Sequence, residues 1–183
     1  MKRIFVSFIA LTALVMITGC AQKGAWIPVS GDSPKMIEAP ILNVEGDKIG
    51  EVTFIESAEG VAINITAEGL SPGEHGTHIH EKGECTAPGF ESAGAHFNPS
   101  GKQHGFENPK GFHLGDLPNI EVDADGKVKA MLTTKEFTLK PNLENSLLDK
   151  DGSALVIHSK ADDYKTDPSG NSGDRIACAA INQ

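Results

Sequence analysis

The stretch Gly76-Thr77-His78-Ile79-His80-Glu81 indicates a β-strand that carries two histidines on one face. Alternate side chains of a strand point the same way, so His78 and His80 would present two imidazole groups from one rigid element. Imidazole is a common protein ligand for copper and zinc. Taken alone, the stretch is equally compatible with two surface histidines on a strand.

Four further histidines and one aspartate continue the pattern along the chain. They occur in Gly94-Ala95-His96-Phe97-Asn98-Pro99, at His104, in His113-Leu114-Gly115-Asp116 and in Val156-Ile157-His158. Six histidines and one aspartate are too many for a single tetrahedral ion. Two ions need about seven or eight coordination bonds, so that one ligand could be shared. The count therefore predicts a site for two metal ions.

The apolar pattern elsewhere has a period of two and is rich in turn signals. Ile63, Ile65 and Ala67 alternate with smaller or polar residues, and Asp125-Gly126 between two alternating runs is typical of a hairpin. No segment shows a long helical stripe. Residues 143–148 could form a short helical turn or an irregular loop. The pattern therefore predicts an all-β sandwich or barrel.

These motifs, in this order, resemble those of the copper/zinc superoxide dismutases over roughly residues 39–180, including the closing segment Gly170-Asn171-Ser172-Gly173-Asp174-Arg175-Ile176-Ala177-Cys178. The resemblance implies an eight-stranded Greek-key β-barrel or sandwich over residues 38–183. It also implies two long functional loops, at about residues 81–119 and 159–175.

The resemblance further implies the metals and their ligands. Four nitrogens in a flattened arrangement suit Cu(II), and three nitrogens with one oxygen suit Zn(II). His96 would bridge the two ions, and His75 would lie outside both sets. The implied copper ligands are His78, His80, His96 and His158, and the implied zinc ligands are His96, His104, His113 and Asp116.

Three more roles follow from the resemblance. Asp162 would hydrogen-bond one copper histidine and one zinc histidine, whereas its neighbour Asp163 is expected to be a solvated loop acid. Arg175 would face the copper and hold the incoming anion. The lysine that many eukaryotic members carry before the Gly-Asn of the second loop is missing here, where Asp167-Pro168-Ser169 stands. The candidate replacements are Lys165, Lys82 and Lys102.

The three cysteines are expected to have different fates. The resemblance pairs Cys85 with Cys178 in a disulfide, and the alternative is two free buried thiols. Residues 1–19 fit a signal peptide, with Lys2 and Arg3 before an apolar run. Ile17-Thr18-Gly19-Cys20 resembles a bacterial lipobox, which would make Cys20 a lipidated residue. The alternative is a plain signal peptide with an incidental cysteine.

Composition limits the partners of the chain. Residues 20–37 are a tether by composition, and Trp26 within it receives no role. The net charge of −9 becomes −9 − 2 = −11 once the leader is removed, which disfavours nucleic acid. We therefore expect an exported protein anchored to the outer face of the cell membrane by its lipid, and a homodimer is compatible with the resemblance.

The expected activity is dismutation of superoxide to dioxygen and hydrogen peroxide, by a redox-cycling copper beside a structural zinc. Two alternatives belong to other classes. One is a non-catalytic copper-binding lipoprotein of the same fold, which would be expected to lack a copper ligand. The other is a zinc-only binding module.

Overall fold

The computed structural model describes residues 35–182. The predicted leader, Cys20, Trp26 and all but the last three residues of the predicted tether lie outside them. Within residues 35–182, the secondary structure consists of nine β-strands and one 3-10 turn at Glu91–Ala93, without an α-helix. The strands are β1 Met36–Asn43, β2 Lys48–Ser57, β3 Gly60–Glu68, β4 Gly73–His75, β5 Thr77–His80, β6 Ile120–Val122, β7 Lys127–Thr134, β8 Ser153–His158 and β9 Arg175–Ile181.

The all-β prediction is confirmed. Seven strands form one antiparallel sheet in the order β5-β8-β9-β1-β2-β3-β7, and β4 pairs with β6 in a second, small sheet. The pairings of β3 with β7 and of β5 with β8 are the non-sequential neighbours expected of Greek-key connections. The strand count differs from eight because Gly76 separates β4 from β5. Its N–H donates to the Lys160 carbonyl and its own carbonyl accepts from His158 N–H, both at 2.8 Å.

The turn between β6 and β7 has a local cause in the sequence. In the turn between β6 and β7, the Asp123 carboxylate accepts hydrogen bonds from the N–H groups of Asp125 and Lys127, both at 2.9 Å. Gly126 follows with φ +77°, a conformation that glycine adopts without steric cost. The predicted Asp-Gly turn is present, but the prediction of a hairpin is wrong, because β6 pairs with β4 and β7 pairs with β3. Residues 143–148 form turns and bends, so the irregular-loop alternative is the correct one.

The alternating apolar residues form the main core. Phe54, Ile63, Ile65 and Leu155 are among its fully buried side chains. A second, smaller cluster lies beside it and consists of Phe90, Ala93, Ala154, Val156 and Cys178. Three long segments between residues 35 and 182 lack strands, namely residues 81–119, 135–152 and 159–174, and the first and the third correspond to the two predicted long loops. In the part of the chain that the structure describes, no helix has the length and apolar character needed to cross a bilayer.

Candidate metal centre

Two adjoining strands and one loop bring four histidines together. His78 and His80 lie on β5, and His158 lies at the end of the neighbouring strand β8. His96 joins them because the loop segment around it pairs with β5, with Glu81 N–H donating to Ala95 O and Phe97 N–H to Ile79 O. All four residues are buried, and each offers a ligand atom within 4.8 Å of the other three. We call this group the four-histidine set.

In the four-histidine set, each ring has one nitrogen held by the protein. The partners of these nitrogens are Asp162 Oδ2 for His78 Nε2 at 2.8 Å, Gly94 O for His80 Nδ1 at 3.0 Å, Asp116 Oδ1 for His96 Nδ1 at 3.0 Å and Gly173 O for His158 Nδ1 at 3.3 Å. The other nitrogens are buried and have no hydrogen-bond partner within residues 35–182: His78 Nδ1, His80 Nε2, His96 Nε2 and His158 Nε2.

Unpartnered buried nitrogens are costly unless something binds them. In these four rings, a contact on one side orients the imidazole and leaves the other side free, as histidine ligands of metals are usually held. The donor set therefore fits a copper ion, for which four nitrogens are suitable ligands.

A second group of ligand atoms surrounds Asp116. The Asp116 Oδ1 atom lies 3.0 Å from both His96 Nδ1 and His104 Nδ1, and 3.2 Å from His113 Nδ1. Three nitrogens and one carboxylate oxygen at such separations fit a tetrahedral Zn(II) ion. We call this group the aspartate set. His96 belongs to both sets and offers a different nitrogen to each.

His78 is a competitor of His113 for the aspartate set. His78, His96, His104 and Asp116 also offer ligand atoms within 4.8 Å of one another. However, His78 Nε2 already bonds Asp162, whereas His113 Nδ1 lies 3.3 Å from His96 Nδ1 as well as close to Asp116. The geometry therefore favours His113 as the fourth member of the aspartate set.

Asp162 connects the two sets. Its carboxylate accepts hydrogen bonds from His78 at 2.8 Å, from His104 Nε2 at 3.0 Å and from Tyr164 N–H at 2.7 Å. Burial alone would raise the pKa of this carboxyl, but the hydrogen bonds from His104 and His78 hold it below its usual range. Asp163 is exposed and caps its own turn through the Thr166 hydroxyl and N–H, as expected for a loop acid.

The pKa values of the histidines differ between the two sets. Burial, together with the nearby His96, lowers the pKa of His78 to about 3, and burial lowers that of His158 to about 4. Burial also lowers the pKa of His80 and His96. In contrast, burial would lower the pKa of His104, but hydrogen bonds to Asp116 and Asp162 raise it to about 9. The four-histidine set is therefore neutral at pH 7 and has lone pairs available for a metal.

Arg175 lies at the start of β9, beside the four-histidine set. Its guanidinium donates to Phe90 O and to Gly94 O, both at 2.7 Å. Gly94 O also accepts from His80, so one loop carbonyl holds both the arginine and a histidine of the set. The sequence alone gave no signal for this shared carbonyl, because a backbone oxygen leaves no trace in residue types.

The remaining predicted residues have the following environments. Lys165 forms an ion pair with Glu107 at 2.6 Å, which places its charge on the outer loops. Lys82 and Lys102 line a cavity that also contains His96 and His113. His75 is buried between His158 O and Ser71 O, at 2.6 and 2.8 Å, and belongs to neither set. The predicted disulfide is confirmed: Cys85 is joined to Cys178, with 5.7 Å between their Cα atoms.

The fold and the site define an all-β barrel-type protein with two adjoining ligand sets for metal ions. Residues 48–181 match the family model described as copper/zinc superoxide dismutase (SODC). The chain therefore belongs to the copper/zinc superoxide dismutase family, whose members use copper and zinc and, in general, dismutate superoxide.

Individual relatives agree with this membership. The superoxide dismutase-like protein YojM of Bacillus subtilis (strain 168) is 47% identical over 181 residues, which cover 93% of this chain and 92% of the relative. A copper-zinc superoxide dismutase of Aquifex aeolicus (strain VF5), numbered 2, is 51% identical over 144 residues, covering 78% and 84%. A solved structure of a superoxide dismutase-like protein from Bacillus subtilis is 52% identical, with a TM-score of 0.78 and coverage of 80% and 97%. That structure is of a double mutant in which a tyrosine and a proline are replaced by histidine.

Proposed function

We propose that this protein dismutates superoxide at a copper ion held by the four-histidine set, beside a zinc ion held by the aspartate set. The observation that carries the proposal is the group of four buried nitrogens without a partner in the described chain. Copper, when bound, supplies the redox chemistry: one superoxide gives up an electron and leaves as dioxygen, and a second takes up an electron and two protons to give hydrogen peroxide.

The residues of the chain have separate tasks in this reaction. Arg175 binds the superoxide anion, because its guanidinium stays charged and is fixed beside His80 by two carbonyls. His96 Nε2 would hold a proton for the product only while it is not bound to copper, because this nitrogen has no other partner among the described residues. The opposite nitrogen of that ring, Nδ1, would bind zinc together with Asp116, and Asp162 orients the rings of His78 and His104.

The main rival function is copper binding without catalysis. Some relatives are named only superoxide dismutase-like, and a rival of this kind would be expected to lack a ligand. The tyrosine and proline replaced in the Bacillus double mutant are sixteen positions apart. His80 and His96 are the only two histidines with this separation here (96 − 80 = 16). We take the two pairs to correspond, so that this chain carries by nature the histidines that were introduced into the relative.

Metal analysis and a dismutase assay on the same purified sample test the proposal. The parent should hold one copper and one zinc per chain. His158→Ala should lose copper and activity but keep zinc, because His158 is outside the aspartate set. The matched variant His113→Ala should lose zinc but keep the four-histidine set complete. Copper-loaded parent without dismutase activity would favour the non-catalytic rival, and a chain that takes up zinc alone would favour the zinc-only module.

We also propose that Cys20 is lipidated after removal of residues 1–19, and that the lipid anchors the protein at the outer face of the cell membrane. The support is the sequence Ile17-Thr18-Gly19-Cys20 after a basic and apolar leader. Cys20→Ser should move the protein from the membrane fraction to the soluble fraction, or accumulate its precursor. Retention of mature Cys20→Ser in the membrane would contradict the anchor. Assembly into a homodimer stays a prediction, which light scattering on the purified protein can check.

A further inference from the structure

A large cavity opens beside the aspartate set. Its volume is about 700 Å³, and His96 and His113 form part of its wall. Both side chains are buried, with 7% and 6% of their surface exposed. His96 also carries the Nε2 atom that lacks a hydrogen-bond partner among the described residues. The cavity therefore connects solvent with two of the four members of the aspartate set.

Carboxylates dominate the lining of this cavity, which we call the acidic groove. Five acids face two lysines, Lys82 and Lys102, so the lining carries a net charge of 2 − 5 = −3. Such a groove attracts cations and repels anions, and its low-dielectric walls strengthen the field inside it. The acids are Glu81, Glu144, Asp149, Asp151 and Asp167.

Asp167 links the acidic groove to the aspartate set. Its Oδ1 atom accepts a hydrogen bond from His104 N–H at 2.7 Å and lies 4.0 Å from His113 Nε2. At the outer end, the side chains of Glu144, Asp149 and Asp151 belong to exposed residues. The negative charge thus extends from the surface to residues that touch the ligands.

The acidic groove is separate from the surroundings of Arg175. The cavity lined by Arg175 also contains Val44, Pro88 and Ile176, and its described lining shares no residue with that of the groove. A superoxide anion would be repelled by the groove and attracted by the guanidinium. The Arg175 cavity also contains Glu91 and Asp174, so its lining has a net charge of 1 − 2 = −1, which is less negative than the −3 of the groove.

We propose that the acidic groove is the entrance through which a divalent cation reaches the aspartate set when the metal-free protein is loaded. This inference rests on the proposed function, since it assumes that the aspartate set binds zinc. It assigns a task to Glu144, Asp149 and Asp151, which lie outside both ligand sets. The same charge would exclude the anionic substrate from this side of the centre.

The test is the rate at which the metal-free protein takes up zinc from zinc chloride, followed by stopped flow with a chromogenic zinc indicator. The variant carries Glu144→Gln, Asp149→Asn and Asp151→Asn together. At low ionic strength its association rate should fall at least fivefold, and the difference should shrink to less than twofold at about 0.5 M salt, where screening is strong. Lys82→Gln with Lys102→Gln should change the rate in the opposite direction.

A matched control removes the same number of charges elsewhere. Glu38→Gln, Glu59→Gln and Glu121→Gln change three exposed acids that line neither cavity. This control should change the association rate less than twofold. Equal slowing of zinc association in the groove variant and the control would overturn the inference, because net charge alone would then explain the effect. An unchanged association rate in the groove variant would also overturn it. A parent that binds no zinc would overturn the proposed function together with the inference, whereas normal zinc binding with no groove effect overturns the inference alone.

Discussion

Replacing Asp162 by asparagine should weaken metal binding while it leaves the size of the side chain nearly unchanged. The carboxylate accepts hydrogen bonds from His78, His104 and Tyr164 N–H through its two oxygens. Asparagine keeps one acceptor oxygen and replaces the other by an NH₂ group, which can only donate. At least one imidazole N–H therefore loses its acceptor, and that ring must change its tautomer or its orientation.

The expected size follows from these contacts. A hydrogen bond to a charged group is worth about 1.5–3 kcal/mol. Removing a partner that orients a ligating histidine typically costs about 10–100-fold in metal affinity, or about 1.4–2.7 kcal/mol. We therefore expect at least one of the two metals to bind about 10–100-fold more weakly in Asp162→Asn. The metal that weakens identifies the imidazole that has lost its acceptor.

Competition titrations with chelators of known affinity, run separately for copper and zinc, would measure the effect. Asp163→Asn is the matched control, because it makes the same chemical change at the next residue. The Asp163 side chain is exposed and bonds only its own loop, through residues 165, 166 and 171. Both affinities should stay within twofold of the parent in this control. If Asp162→Asn also left both affinities within twofold, the assignment of Asp162 as the link between the sets would be wrong.

Three further predictions concern the anion, the disulfide and pH. Arg175→Ala should keep both metals but lower the dismutase activity and weaken inhibition by small anions. Arg175→Lys should recover part of the lost activity. Full activity of Arg175→Ala at low ionic strength would refute the anion-binding role of Arg175. The double variant Cys85→Ala with Cys178→Ala removes a cross-link between residues 93 positions apart. It should lower the free energy of unfolding, measured by denaturant titration, by about 4–5 kcal/mol. A loss below about 1 kcal/mol would contradict this prediction. The metal-free protein should be most stable near pH 6.5, by the same titrations. The folded-state pKa of His78 is lowered to about 3, so below pH 6.5 the unfolded chain binds a proton that the folded chain does not, and stability falls. The pKa of His104 is raised to about 9, so its contribution to the free energy of unfolding is complete below pH 6.5 and is lost as pH rises through 9. A stability maximum above pH 9 would contradict the assignment of His104, and a maximum below pH 3 would contradict that of His78.

The strands and the candidate ligands could be predicted from the sequence, because alternation and residue type are visible at short range. Alternation at Ile63, Ile65 and Ala67 was sufficient to indicate a strand with one buried face, and Asp-Gly was sufficient for the turn but not for the pairing of the strands beside it. The break at Gly76 was not predictable, since it depends on hydrogen bonds with residues 158 and 160, more than eighty positions away. Residues 143–148 were ambiguous for a related reason: Leu147 N–H donates to Thr138 O, and the Thr138 hydroxyl is in turn held by Glu56, eighty-two positions away.

Charges on the loops were harder to predict than ligands. Lys165 was a candidate for guiding the anion because it lies near the Gly-Asn segment, but in the fold Glu107 neutralises it. The acidic groove is built from residues between positions 81 and 167, and nothing in any one segment indicates that they meet. A ligand reveals itself by its residue type and motif, whereas a cavity depends on which loops the barrel brings together.

The disulfide and Arg175 act on the same loop, and this gives the cross-link a role beyond stability. Cys85 precedes Phe90 and Gly94, whose carbonyls hold the guanidinium, and Cys178 lies on β9 three residues after Arg175. Gly94 O also holds His80. Any motion of this loop away from β9 would therefore shift the guanidinium of Arg175 and, at the same time, release the contact that orients His80. For this reason, the loop must be fixed to the barrel if the charge of Arg175 and the free nitrogen of His80 are to stay in place at the same time.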